Sequence, residues 1–121
     1  MKKNILIIED DDFFRELISK KLSANGFEPL EAVNGLRGIE KVRQQKPDLV
    51  LLDLLLPNID GFEVLSTLKS DPNTSSIPVV ILSNLDTRED IERGLKLGAS
   101  DFLIKSQTAS DEIISKIKSL I

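Results

Sequence analysis

Residues 5–12 read Ile-Leu-Ile-Ile-Glu-Asp-Asp-Asp, and the architecture of the chain follows from this stretch. A continuous apolar run without polar alternation suits a strand covered on both faces, as in the middle of a parallel sheet. Four acids then end the run and open a segment in which Phe14, Leu17, Ile18 and Leu22 recur at helical spacing. Acids are favoured at a helix start by the dipole, and Asp11 or Asp12 suits the cap. Strand, acidic turn and helix make one unit.

Similar units continue outward. Further apolar runs lie at Phe27–Leu30, Leu49–Leu52, Val79–Leu82 and Phe102–Ile104. The second is interrupted by Glu28 and Pro29, which fits an edge strand. Leu36, Ile39 and Val42, then Leu65 and Leu68, then Ile91 and Leu95, then Ile114, Ile117 and Ile121 mark the intervening helices. Asn34-Gly35 opens the second helix and Pro47 follows its end. Thr87-x-x-Asp90 and Thr108-x-x-Asp111 read as capping boxes, with Gly26 and Gly98 at helix ends that need a left-handed residue. Strand and helix alternating five times predict an α/β fold, a doubly wound parallel five-stranded sheet with helices on both faces.

Composition narrows the chemistry. With 121 residues, 40% hydrophobic and 30% charged, the chain fits one domain, residues 1–121. The net charge of −4 argues against direct nucleic-acid binding by this domain. There is no Cys and no His, which excludes thiolate or imidazole metal sites and catalytic triads with histidine. Apolar runs fall far short of the ~20 residues that span a bilayer. Met1-Lys2-Lys3-Asn4 leads into a short apolar run and acids, unlike a secretory signal, so a cytoplasmic location is expected.

In an open parallel sheet, ligands bind beyond the carboxyl ends of the strands. Glu9, Asp10, Asp11 and Asp12 follow the first run, Asp53 the third, Ser83 and Asn84 the fourth, and Lys105 and Ser106 the fifth. Two carboxylates ~4 Å apart repel by ~4 kcal/mol at a surface-like dielectric, so Glu9, Asp10 and Asp53 call for a cation. Oxygen ligands alone select a hard divalent ion, and magnesium, which keeps exchangeable waters, fits best, with manganese a possible substitute. Each signal alone has an ordinary explanation: acids cap helices, Ser and Asn populate loops, and loop lysines are solvated. Asp53 is harder to dismiss, because it interrupts the apolar stretch Leu49–Leu56. A carboxylate, a hard cation, a hydroxyl and a lysine on one rim are the parts for phosphoryl transfer onto an aspartate.

On ILIIEDDD (residues 5–12), LVLLDLLLPNIDG (49–61), VVILSN (79–84) and GASDFLIKS (98–106), the whole chain resembles the receiver domain of two-component response regulators. The resemblance implies a flavodoxin-like (βα)5 fold with strand order 2-1-3-4-5. It implies that Asp53 accepts a phosphoryl group from a phosphohistidine on a sensor histidine kinase or phosphotransfer protein. Asp10, Asp53 and the Leu55 backbone carbonyl would contact magnesium, and Glu9 would act through water. Ser83 would hydrogen-bond the phosphoryl oxygen, Lys105 would be the family's lysine, and Phe102 the aromatic switch. Pro57 and Gly61 match the loop after the acceptor. Such a domain catalyses its own phosphorylation and slow hydrolysis rather than turning over a substrate. It signals to an output protein or domain through the face of the fourth helix, fifth strand and fifth helix, as a monomer or a phosphorylation-dependent dimer.

Two positions depart from the family pattern. Asn84 stands where a small residue is usual, and Ser106 where a cis proline is usual. Without proline the trans peptide is favoured by ~3–4 kcal/mol. Other readings fit less well. A haloacid-dehalogenase-type phosphatase needs a second Asp where Leu55 stands. A mononucleotide binder needs a glycine- and hydroxyl-rich loop where the four acids lie. A degenerate receiver, serving only as an interaction module, would not retain Glu9, Asp10, Asp53, Ser83 and Lys105 together.

Overall fold

The computed structural model describes residues 2–121. Its strands are β1 (Asn4–Ile8), β2 (Glu28–Ala32), β3 (Leu49–Leu52), β4 (Val79–Ser83) and β5 (Asp101–Ile104). They alternate with α1 (Asp12–Ala24), α2 (Gly35–Gln45), α3 (Gly61–Ser70), α4 (Arg88–Lys96) and α5 (Ser110–Leu120), and a 3-10 turn, Lys105–Gln107, follows β5. The sheet is parallel throughout, in the order β2-β1-β3-β4-β5. No helix of the described residues is long and apolar enough to cross a membrane.

The two-residue period of the strands divides the core in two. Leu6, Ile8, Val50, Leu52, Val79 and Ile81 face Ile39 and Val42 of α2 and Phe62, Leu65 and Leu68 of α3. Ile5, Ile7, Leu49, Leu51, Val80 and Leu82 face Ile18 and Leu22 of α1 and Ile113, Ile114 and Ile117 of α5. Each such side chain taken from water contributes ~1.5–3 kcal/mol, so the three central strands are the most firmly held part of the fold. Their ends make a rigid platform.

The helix starts follow side-chain chemistry. Asp11 caps α1, its carboxylate accepting from the Phe13 and Phe14 amides, and Asp12 pairs with Arg15 in the first turn. Asn34 and Thr87 cap α2 and α4 as the sequence predicts. Gly26 and Gly98 adopt φ of +86° and +111°.

Three local expectations need correction. The second strand begins at Glu28 because the Phe27 amide still donates to the Leu22 carbonyl at the end of α1. Leu17, Leu36 and Leu95 lie in the predicted stripes but are exposed, because α1 meets the sheet through Ile18 and Leu22, α2 through Gly38, Ile39 and Val42, and α4 through Gly94. Thr108 does not cap α5. Its hydroxyl donates to the Ile104 carbonyl, while Ala109 precedes the helix and its amide donates to Glu112.

Candidate functional site

The register of the ladder assembles the rim. Ile8 lies opposite Leu52, so the next residues, Glu9 and Asp53, leave the sheet side by side. Their backbones are still tied to it, the Asp53 amide donating to Ile8 at 3.1 Å and the Glu9 amide to Ala32 at 3.0 Å. Glu9 and Asp53 are buried and Asp10 is exposed, and each offers an oxygen within 4.8 Å of the others. Gly61 lets α3 start hard against Asp53. A Cβ there would sit 2.4 Å from the Asp53 carbonyl oxygen and 2.5 Å from the Leu54 Cα.

Lys105 is brought over the acids by the turn after β5. Its ammonium pairs with Glu9 and, at 3.2 Å, with Asp53 Oδ2. The Leu55 amide donates to Asp53 Oδ1 at 3.3 Å and the Asp11 amide to Glu9 Oε2 at 3.1 Å. Burial pushes the Glu9 carboxyl up to about 7; the Lys105 hydrogen bond pulls it back in part, and the Asp53 charge adds to the rise. Burial also works against the Lys105 ammonium, but the Glu9 hydrogen bond and the Asp53 charge outweigh it and raise its pKa. The peptide bonds of the described residues are all trans, Lys105-Ser106 included, and the lysine still reaches the aspartate.

Ser83 ends β4 and is fully buried. Its oxygen accepts a long 3.5 Å contact from the Leu85 amide, which leaves its proton for another acceptor. Asn84 turns outward, and its Oδ1 accepts from the Ser106 amide at 3.1 Å. The Phe102 ring is buried, packed with Ile81 below Gly94 of α4.

Two neighbours were not singled out from sequence. Phe14 presents its ring to the Lys105 ammonium, 4.5 Å from the centroid, and Arg15 donates to the Glu9 carbonyl at 2.9 Å. The sequence places Phe14 only in a helical stripe, and an acid-rich first turn offers so many partners for Arg15 that its target is not legible there.

Three carboxylates against one ammonium leave excess negative charge on an all-oxygen cluster. That donor set fits a hard divalent cation.

The family profile described as response regulator receiver domain matches residues 5–118. The chain is 38% identical over 117 residues to the DNA-binding dual master transcriptional regulator RpaA of a Synechocystis strain, covering 97% of this chain and 48% of that protein. It is 36% identical over 121 residues to the phosphate regulon transcriptional regulatory protein PhoB of Escherichia coli K12, covering 100% of this chain and 52% of that protein. The chain thus spans about half the length of these curated relatives. The crystal structure of a putative response regulator from Chloroflexus aurantiacus superposes with a TM-score of 0.92 at 27% identity, covering 99% of this chain and 98% of that one.

Proposed function

The chain belongs to the response regulator receiver domain family, whose general function is a phosphorylation-controlled switch, and on that premise we propose that Asp53 is its phosphoacceptor. The observation that carries this is the Lys105 ammonium bridging two buried carboxylates beside a third. Asp53 is held on both oxygens, by the Leu55 amide and by Lys105, so its carboxylate is oriented before any donor arrives.

The reaction breaks the P–N bond of a phosphohistidine on a sensor histidine kinase or phosphotransfer protein. It forms a P–O bond to an Asp53 carboxylate oxygen, and the imidazole leaves. Glu9, Asp10, Asp53 and the Leu55 carbonyl would hold Mg2+, with Mn2+ a substitute, and the ion would neutralise charge on the transferred group. Lys105 pairs with a phosphoryl oxygen and Ser83 donates its proton to another. Movement of Ser83 frees space beside Phe102 and alters the face of α4, β5 and α5, which we assign to output. We read residues 1–121 as one domain acting in the cytoplasm, as a monomer or a phosphorylation-dependent dimer. With a net charge of −4, no nucleic-acid contact is assigned to this domain.

Incubation with acetyl phosphate and magnesium should add one phosphoryl group by intact mass. Asp53→Asn, which keeps the shape and removes the nucleophile, should abolish it. Equal labelling of the two proteins would overturn the assignment.

A further inference from the structure

Asn84 and Ser106 depart from the family pattern separately in sequence, 22 residues apart, yet in the structure they bond to each other. The donor is the Ser106 backbone amide, a group that proline does not have. The acceptor is the Asn84 side chain, which a small residue would lack. One departure supplies the donor and the other the acceptor.

The bond joins two loops that matter to the site. Asn84 directly follows Ser83, and Ser106 directly follows Lys105. Together with Asp11, Phe14 and Lys105, the pair lines a cleft of about 260 Å³. The turn that carries Lys105 therefore has two tethers on this side: the Phe14 ring against the ammonium, and Asn84 against the next backbone amide.

Resting on the proposed role of Lys105, we infer that Asn84 is a positioning residue, a latch that fixes the Lys105 turn from the Ser83 loop in place of a rigid proline. It acts through Lys105 and not by crowding the phosphoryl site. The same bond ties the residue after Ser83 to the residue after Lys105, so displacement of Ser83 is passed to the turn after β5.

The test uses the full chain, with Ser106 amide exchange and the Lys105 13Cε shift read by NMR. Both side chains are exposed, so substitutions leave the core intact. Asn84→Ala removes the acceptor and the bulk, and Asn84→Leu removes the acceptor alone. Both should speed Ser106 exchange about two- to fivefold, the worth of one exposed hydrogen bond, and both should move the Lys105 shift. Asn84→Asp keeps an acceptor oxygen at the same reach and should hold the exchange protection. In a cycle with Ser106→Pro, Asn84→Ala should slow phosphorylation by acetyl phosphate in the wild-type background and have no further effect once the amide is gone. The inference is overturned if Asn84→Leu retains the Asn84 behaviour, if the Lys105 shift stays fixed in both, or if the two substitutions act additively. Should the wild-type chain take no phosphoryl group, the proposed function fails, while the exchange and shift measurements still decide the latch.

Discussion

The two halves of the rim are built differently. On the acid side, Glu9 and Asp53 leave central strands, are buried, and are fixed by backbone amides and by Lys105. On the hydroxyl side, Ser83 has a 3.5 Å contact and Asn84 a 3.1 Å bond to a loop amide, next to an edge strand. The acid side is organised to hold charge without moving. Among the described residues the Ser83 hydroxyl is held by that long contact alone, and a switch needs a part that can shift at small cost.

The comparison breaks first at Lys105. Lys105→Met keeps the stem but leaves two buried carboxylates without their cation, so unfolding in urea with EDTA should show a loss of about 2–4 kcal/mol. The elevated Glu9 value limits the loss, because that carboxyl can take a proton instead. Saturating magnesium should restore more stability to Lys105→Met than to wild type. Equal stabilities in EDTA would show that the acid side is not held by the lysine.

A smaller effect separates neighbours within the acidic run. Asp10→Ala removes an exposed carboxylate from the cluster, and on the proposed metal site magnesium affinity by calorimetry should fall about tenfold, ~1.4 kcal/mol. Asp11→Ala should leave affinity intact and cost ~1 kcal/mol of stability as a lost cap. Asp12→Ala should change neither by more than a few tenths, since its pair with Arg15 lies at the surface. If all three behaved alike, the run would be one diffuse acidic patch.

What the sequence made legible follows the same division. The central strands announce themselves as unbroken apolar runs, and the acids stand where those runs stop, so Glu9, Asp10 and Asp53 could be placed by strand ends alone. The bounds of β2 were less readable, because an edge strand needs no continuous apolar run and Glu28, Pro29 and Glu31 all lie within it. The choice between Asp11 and Asp12 as cap depends on where the ladder releases the chain, which composition does not encode. The Phe14–Lys105 and Asn84–Ser106 contacts join loops distant in sequence. Asn84 and Ser106 were visible only as separate departures from a pattern, and their pairing is a tertiary fact.

The finest contrast lies in two helix glycines, one beneath each half. Gly38 of α2 rests on Ile8, the last residue before Glu9, and a Cβ there would meet three carbons of that side chain at 2.4, 2.8 and 3.1 Å. No single rotation of a β-branched residue clears all three. Gly94 of α4 rests on the Ile81 Cδ1 at 2.5 Å and on the Phe102 ring edge at 3.2 and 3.5 Å. A terminal methyl can turn aside, and the Phe102 ring borders the surface at 9% exposure, so it has somewhere to go. Alanine improves helix propensity by ~1 kcal/mol at either site, set against overpacking of ~1–3 kcal/mol. Gly38→Ala should therefore lose about 1–2 kcal/mol in urea unfolding, and Gly94→Ala should stay within about 1 kcal/mol of wild type. Gly94→Ala should also shift the Phe102 ring resonances, while Gly38→Ala leaves them in place. Equal losses with an unmoved Phe102 ring would mean that the hydroxyl side is packed as rigidly as the acid side, and the division between a fixed half and a yielding half would fall.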